Sequence, residues 1–401
     1  MSDLETYRTK AATWLESMAP TYGRDARKGL AEADDLALGR RYQKAKFDAG
    51  YAGINWPTEY GGQGLGHLEK VTFDAEEMKH GFPNFYFGIS LGMPVPVLMQ
   101  FGSDREFVKE RVLKALQGEE IWCQLFSEPS GGSDLAGLRT KAEPDGNGWK
   151  INGQKVWTSW AHYSDYGVIV VRTDPTVPKH KGLTYFWVDM KAPGVTVRPI
   201  KLAGGDSHVN EVFFDEVKIS DDHRMSPVGG GFAVAITTLM IERYVATDSA
   251  GFGPHLDLFI DLAKDTLLGG KPAIEDGRIR HQIARNYAMR SGLDSINVRA
   301  RLMMQAGMIP GAEGSLNKLV AVRSRQKLSE LAIDLHGTDG FAFDEHASQK
   351  EDWASSWLNA PTGRIAGGSD ETLLNTIAEK VLGLPQDHRP DKGIPFNQIP
   401  A

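Results

Sequence analysis

The stretch Trp122-Cys-Gln-Leu-Phe-Ser127-Glu-Pro-Ser-Gly-Gly-Ser-Asp134 is the densest concentration of unusual residues in the chain. A short apolar run, of the kind that forms a strand, ends here in a turn rich in glycine and hydroxyl groups. Such a turn can direct backbone N–H groups and serine hydroxyls at the oxygen atoms of a ligand. The same residues also suit an ordinary serine turn, so this stretch alone leaves both interpretations open.

A second unusual stretch, Val156-Trp157-Thr-Ser159-Trp160, ends a segment in which apolar and polar residues alternate. Trp157 could stack on a flat ring, and Ser159 could form a hydrogen bond with a ring heteroatom. Tryptophans in a β-rich segment more often belong to a core. This stretch therefore has two interpretations as well.

The spacing of the apolar residues changes twice along the chain. Helical spacing dominates at both ends, whereas the middle alternates with period two and contains β-branched and aromatic runs. In the run 149–157 the alternation lies around Gly153, where we expect a turn. We predict an α+β chain with an N-terminal helical domain (1–120), a middle β domain (121–228), a C-terminal helical domain (229–385) and an irregular tail (386–401).

The overall charge restricts the class of protein. The 401 residues include 45 Lys and Arg and 52 Asp and Glu, a formal net charge of −7. This balance argues against proteins that bind nucleic acid or membranes through basic surfaces. No apolar run approaches the ~20 residues of a transmembrane helix, and the first residues do not form an apolar signal segment. We expect a cytoplasmic protein.

Common metal and hydrolase motifs are missing from the sequence. Cys123 is the only cysteine, which excludes a disulfide within the chain and any Cys-x-x-Cys site. There is no His-Glu-x-x-His, no Walker A motif and no Gly-x-Ser-x-Gly. We therefore expect no metal centre.

Together, the motifs resemble those of the acyl-CoA dehydrogenases. Ser127-Glu-Pro-x-x-Gly-Ser-Asp134 and Ile151-Asn-Gly-Gln-Lys-x-Trp157-x-Ser159 are similar to the flavin segment of that family. Glu242-Arg243 and Arg364-Ile-Ala-Gly-Gly-Ser-Asp-Glu371 follow in the family's order, so that the resemblance extends over nearly the whole chain. It implies a helical domain, a β-barrel-like domain and a C-terminal four-helix bundle.

The resemblance also implies a function. It points to an FAD enzyme that oxidises an acyl-CoA thioester to the trans-2-enoyl-CoA and passes electrons to an electron-transfer flavoprotein. The contacts that it implies are Phe126 and Ser127 against the isoalloxazine ring, Trp157 beside it, Ser159 near N5, Ser133 on the acyl-CoA side and Ser369 near the FAD pyrophosphate and ribose.

The catalytic base is the first departure from the family pattern. Many members carry a glutamate where this chain has Gly367, which offers no carboxylate. A subset similar to the isovaleryl and long-chain enzymes places the base on an earlier helix before an arginine, which corresponds to Glu242 and Arg243. We predict that Glu242 is the base and that Arg243 and Gly367 lie near the substrate. Asp370 and Glu371 align with non-catalytic positions.

The second departure concerns the groups that family members lend to a neighbouring subunit's FAD. An arginine, a phenylalanine and a glutamine usual there are missing from 266–277, and in 334–340 Asp334 and Thr338 stand where the family has a glutamine and a glycine. Either a related partner chain lends these groups in a hetero-oligomer, or Arg278, Arg280 or His281 replaces them in a homodimer or homotetramer.

Two other functions stay open. A flavin oxidase or monooxygenase could use the same fold, although such relatives generally lack a glutamate base. A non-catalytic partner subunit would account for the missing FAD groups but not for the intact Ser127–Asp134 motif. The small Ala366 and Gly367 make a branched or bulky acyl group plausible, unless neighbouring side chains fill the space.

Overall fold

The computed structural model describes residues 3–249, 255–305, 311–337 and 353–399. Of residues 241–249, 301, 304 and 305 it describes the backbone only. The chain divides into two compact units. The first contains Met1–Lys201, Ser207–Ile241 and Pro390–Ala401, and the second contains Leu202–Asp206 and Glu242–Arg389.

Helices form the N-terminal part of the first unit. Leu36, Leu38 and Tyr42 recur at helical spacing and are buried, as expected for an amphipathic helix. A loop that includes residues 55–64 separates the second and third helices. The helices are α1 (Asp3–Tyr22), α2 (Glu32–Asp48), α3 (His67–Glu77), α4 (Phe85–Gly92), α5 (Pro94–Phe101) and α6 (Arg105–Leu116).

A seven-stranded sheet follows. Its strands are β1 (Trp122–Leu125), β2 (Lys141–Asp145), β3 (Gly148–Ser159), β4 (Tyr166–Arg172), β5 (Leu183–Asp189), β6 (Val195–Ile200) and β7 (Val209–Ser220). The strand order is β1-β4-β2-β3-β7-β6, and β5 pairs with β4. β4 runs parallel to β1 and antiparallel to β5.

The turn expected at Gly153 is wrong, because β3 passes through this residue as one continuous strand. Gly153 has φ 148°, and a Cβ atom there would lie 2.5 Å from Oγ1 of Thr140 on the neighbouring chain segment. The glycine is needed for the close approach of two backbones, together with a register shift beside it.

Both faces of the sheet are buried at β1, β4 and β5. Trp122 and Phe126 belong to a cluster that includes Val95, Leu98 and Val112 of the helices. Successive residues of a strand point to opposite faces, and Cys123 accordingly joins a second cluster between the strands. This double coverage explains why the central strand β4 reads as a continuous apolar run.

The second unit is mainly helical. Its helices are the end of α7 (Gly231–Ser249), α8 (His255–Asp265), α9 (Gly277–Gln305), α10 (Gly314–His336), α11 (Trp353–Ile365) and α12 (Asp370–Thr376). Between α8 and α9 lies a hairpin of β8 (Leu267–Leu268) and β9 (Lys271–Pro272). Gly269 and Gly270 both have positive φ, which a tight hairpin turn requires.

The predicted order of helical, β and helical segments is thus confirmed. The exact domain boundaries stay a prediction. Within the described ranges, no helix is both long and apolar enough to cross a membrane.

The buried Cys123 offers a direct test of the sheet. Its side chain is fully buried, and burial raises the pKa of its thiol to about 12. Since the thiolate is the reactive form, we expect the native protein to resist a chromogenic thiol reagent at about pH 8. The unfolded chain should titrate as one thiol. Rapid reaction of the native protein would contradict the described packing of β1.

Candidate functional site

A buried ion pair holds the Ser127–Asp134 turn against β3. Lys155 is fully buried, and its Nζ lies 2.7 Å from Oε1 of Glu128. The same Nζ donates to the carbonyl oxygens of Phe126, at 3.1 Å, and of Val170, at 2.8 Å. Three acceptors satisfy the three N–H donors of an ammonium group. The arrangement therefore fits a charged lysine.

The Glu128 carboxylate is equally well satisfied. Besides Lys155, it accepts the backbone N–H of Arg139 at 2.6 Å and of Thr140 at 3.0 Å. Burial by itself would raise the pKa of Glu128, but the Lys155 charge and these hydrogen bonds lower it overall. Burial lowers the pKa of Lys155, and the Glu128 carboxylate opposes that shift. The turn is thus fixed by charge as well as by hydrogen bonds.

Trp157 is exposed on a bulge beside this ion pair. The register between β3 and β7 shifts between Lys155 and Thr158. Trp157 has φ 61°, and 58% of its surface is exposed. A left-handed backbone at such a residue costs about 1–3 kcal/mol and tends to occur at functional sites. The structure therefore excludes a core position for Trp157, and its stacking on a ring stays a prediction.

The same unit brings several of the predicted flavin contacts together. The Val156 N–H donates to the Ser127 carbonyl at 2.9 Å, which joins the turn to the bulge. Ser159 lies two residues beyond Trp157 and is half-buried. The Phe126 ring is buried edge-on against Tyr185, with ring centroids 5.9 Å apart. The Phe126 side chain is therefore part of the core.

Gln124 and Thr158, which adjoin the turn and the bulge in the sequence, each have a buried polar atom without a partner among the described residues. The two atoms are Oε1 of Gln124 and Oγ1 of Thr158. Such atoms usually have a partner, which a bound molecule can supply. The exposed indole of Trp157 and the half-buried hydroxyls of Ser127 and Ser159 are the groups that would suit a flat ring with polar edges. Ser127, Trp157 and Ser159 would hold it.

Ser133, the predicted acyl-CoA contact, lies in the exposed part of the same turn. The following residue, Asp134, accepts a hydrogen bond at its Oδ2 from Nζ of Lys179, at 2.8 Å. Ser133 is therefore at the surface of the first unit, with an anchored neighbour.

Ser369 and Gly367 belong to the second unit. Ser369 caps α12, since its Oγ accepts the N–H of Thr372 at 3.3 Å. Gly367 is exposed and has φ 65°. The sequence proposed an FAD contact for Ser369, whereas the geometry shows a capping role, and the FAD contact stays a prediction.

Asp370, beside Ser369, is buried and bound to two arginines. Its Oδ2 accepts Nε of Arg323 at 2.8 Å and Nη2 of Arg364 at 2.6 Å. Burial would raise its pKa, but the two guanidinium groups lower it overall. A carboxylate held in this way is a poor general base.

Glu242 and Arg243 lie in α7, and their side chains are outside the described residues. Their roles stay predictions. Of the proposed substitutes for the missing FAD groups, Arg278 is exposed and pairs with Asp276 at 2.9 Å. Arg280 and His281 are exposed on the same first turn of α9.

The sequence interpretation missed the ion pair itself. The sequence motifs include Glu128 and Lys155, but the sequence analysis assigned neither residue a role. A signal was present, because a lysine next to Val156 and four residues after Ile151 is unusual in a buried strand. Only a buried anion makes that position tolerable, and the sequence does not name its partner.

Family models cover almost all of the chain. The N-terminal, middle and C-terminal domains of acyl-CoA dehydrogenase match residues 4–120, 123–217 and 229–382. The acyl-CoA dehydrogenase IpdE1 of Mycobacterium tuberculosis is 34% identical, with 96% of this chain and 99% of the relative aligned. The chain belongs to the acyl-CoA dehydrogenase family.

Two further matches extend this assignment. The acyl-CoA dehydrogenase FadE34 of Mycobacterium tuberculosis is 36% identical over 89% of this chain, and the chain spans about half (48%) of that relative's length. A variant of the Tcur3481-Tcur3483 steroid ACAD has a TM-score of 0.79 at 25% identity, covering 96% of this chain and 99% of the other. These matches confirm the predicted fold class. Family membership makes the chain an oxidoreductase and indicates a flavin cofactor.

Replacement of Lys155 tests the ion pair of this acyl-CoA dehydrogenase. Lys155→Met should lower the free energy of unfolding by about 3–5 kcal/mol, because it leaves the Glu128 carboxylate buried without a counter-charge. Urea unfolding measures the change. The double variant Lys155→Met/Glu128→Leu should recover part of the loss.

Lys150→Met provides the control on the same strand. Lys150 pairs with Glu216, whose side chain is 58% exposed, so this change should cost no more than about 1 kcal/mol. Equal losses for Lys150→Met and Lys155→Met would contradict the special role of the buried pair.

Proposed function

We propose that the protein is an FAD-dependent acyl-CoA dehydrogenase that converts an acyl-CoA thioester to the trans-2-enoyl-CoA. The observation that carries this proposal is Trp157, an indole exposed on a bulge beside the Ser127 turn of a family member. When bound, FAD would accept the β-hydrogen as hydride. Trp157, Ser127 and Ser159 would hold and orient the ring.

Glu242 is the proposed base that removes the α-proton. An α-proton beside a thioester is weakly acidic, so the base needs a dry site that raises its pKa and hydrogen bonds that stabilise enolate-like charge on the thioester oxygen. Gly367 removes the alternative base of the family. Asp370 already forms ion pairs with Arg323 and Arg364. Both observations support Glu242 as the base.

The proposal for Glu242 is tested by replacing its carboxylate. Glu242→Gln should keep the flavin but lose at least ~100-fold in turnover, the usual range for a general base. Steady-state assays with an artificial electron acceptor measure the loss. Glu371→Gln is the matched control, since Glu371 is an exposed carboxylate at a non-catalytic position. Normal turnover of Glu242→Gln would refute the assignment.

The flavin contact of Trp157 is tested by cofactor binding. Trp157→Ala should weaken FAD binding about tenfold or more, which corresponds to ~1.4 kcal/mol of lost stacking. Titration of the apoprotein with FAD, followed by fluorescence, gives the affinity. Trp157→Phe retains a flat ring and should retain most of the affinity. An unchanged FAD affinity in Trp157→Ala would argue that the exposed indole serves another purpose.

A bulky acyl group and a heteromeric assembly are the finer parts of the proposal. The small residues at 366 and 367 and the similarity to a solved steroid ACAD support a ring-bearing or branched substrate. The electron acceptor would be an electron-transfer flavoprotein. The missing FAD-contacting residues of 266–277 and the exposed Leu267 and Leu268 support a related partner chain.

An anaerobic titration separates these possibilities. The purified chain is mixed with butyryl-, isovaleryl-, palmitoyl- and steroid side-chain CoA thioesters while the flavin absorbance near 450 nm is followed. Bleaching by the steroid thioester alone supports the bulky substrate. Rapid return of the 450 nm absorbance when O2 is admitted would favour an oxidase, whereas a yellow protein that none of them bleaches would argue against these thioesters as substrates. A colourless protein would favour a partner chain.

A further inference from the structure

The last residues of the chain return to the first unit. Residues 390–399, here called the C-terminal strap, form no helix or strand apart from a short helical turn. The Phe396 N–H donates to the Val177 carbonyl and the Asn397 N–H to the Pro175 carbonyl, both at 2.9 Å. The sequence predicted an irregular tail, and these contacts hold its residues 396 and 397 against the first unit.

A buried arginine connects the strap with the turn that contains Ser133. The Arg172 guanidinium carbon lies 3.5 Å from the centre of the Phe396 ring, a close cation–π contact. The same guanidinium donates to the carbonyls of Ala136 at 2.6 Å and Leu138 at 3.1 Å. Arg172 is only 4% exposed, so Phe396 covers the group that holds these two carbonyls.

Lys179 makes a second connection. Its Nζ lies 2.8 Å from Oδ2 of Asp134 and 2.5 Å from Oδ2 of Asp391 in the strap. The Lys179 side chain is 16% exposed, whereas that of Asp134 is 58% exposed. The lysine therefore fixes an otherwise exposed aspartate to the strap.

These two connections hold both ends of one short segment. Asp134 directly follows Ser133, and Ala136 and Leu138 complete the turn. We propose that the C-terminal strap positions the Ser133–Leu138 turn for binding of acyl-CoA, with Phe396 and Lys179 as positioning residues. The inference rests on the proposed function only where it assigns the turn to the substrate.

Hydrogen–deuterium exchange tests, without any substrate, whether the C-terminal strap holds the Ser133–Leu138 turn. In the full-length protein, the amides of Gly137 and Leu138 are hydrogen-bonded within the turn. Phe396→Ala and Lys179→Met should speed exchange in 133–138 at least about fivefold while leaving β3 unchanged. Phe396→Tyr keeps an aromatic face and should behave as the parent. Gln398→Ala, an exposed strap residue, is the control. Unchanged exchange in both positioning variants overturns the proposal.

Kinetics test the substrate part, with palmitoyl-CoA and a steroid side-chain CoA thioester as probes. Phe396→Ala and Lys179→Met should raise KM about tenfold while kcat and FAD content stay within about twofold, the pattern of lost ground-state binding. Phe396→Tyr should restore KM. Faster exchange with an unchanged KM overturns the role in substrate binding, as does a parallel loss of FAD and kcat. A parent protein that no thioester bleaches refutes the proposed function, and exchange alone then decides whether the strap holds the turn.

Discussion

Lys155 carries a positive charge into the interior of the first unit, and the surrounding chain is arranged to accept it. Its three hydrogen-bond partners come from three places: the end of β1, the turn after it and β4. Because a buried ammonium without partners costs several kcal/mol, all three segments have to be in position together. The ion pair with Glu128 therefore forms only when this part of the sheet is correctly assembled.

The position of Trp157 follows from the same constraint. Strict alternation along β3 would place Trp157 on the same face as Lys155, in the core. Instead Lys155 and Val156 are both buried, the register shifts, and Trp157 adopts a left-handed backbone that exposes its indole. The fold accepts local backbone strain at this point, and the buried ion pair beside it holds the strained residues in place.

In the second unit, the segment around Gly367 makes structural contacts. Gly367 offers no carboxylate, and the carboxylate of neighbouring Asp370 is bound between Arg323 and Arg364. Ser369 caps the N-terminus of α12. In this chain, the described residues of the segment therefore stabilise the start of the helix.

The sequence by itself determined the order of helical and β segments, because apolar periodicity is a local property that each segment expresses alone. It also determined the family, through motifs in a specific order. Only the tertiary structure decided that Glu128 pairs with Lys155, that Trp157 points outward and that Gly153 lies within a strand. It also decided that Phe396 covers Arg172. These are contacts between segments distant in the chain, and local propensity carries no information about which segments meet.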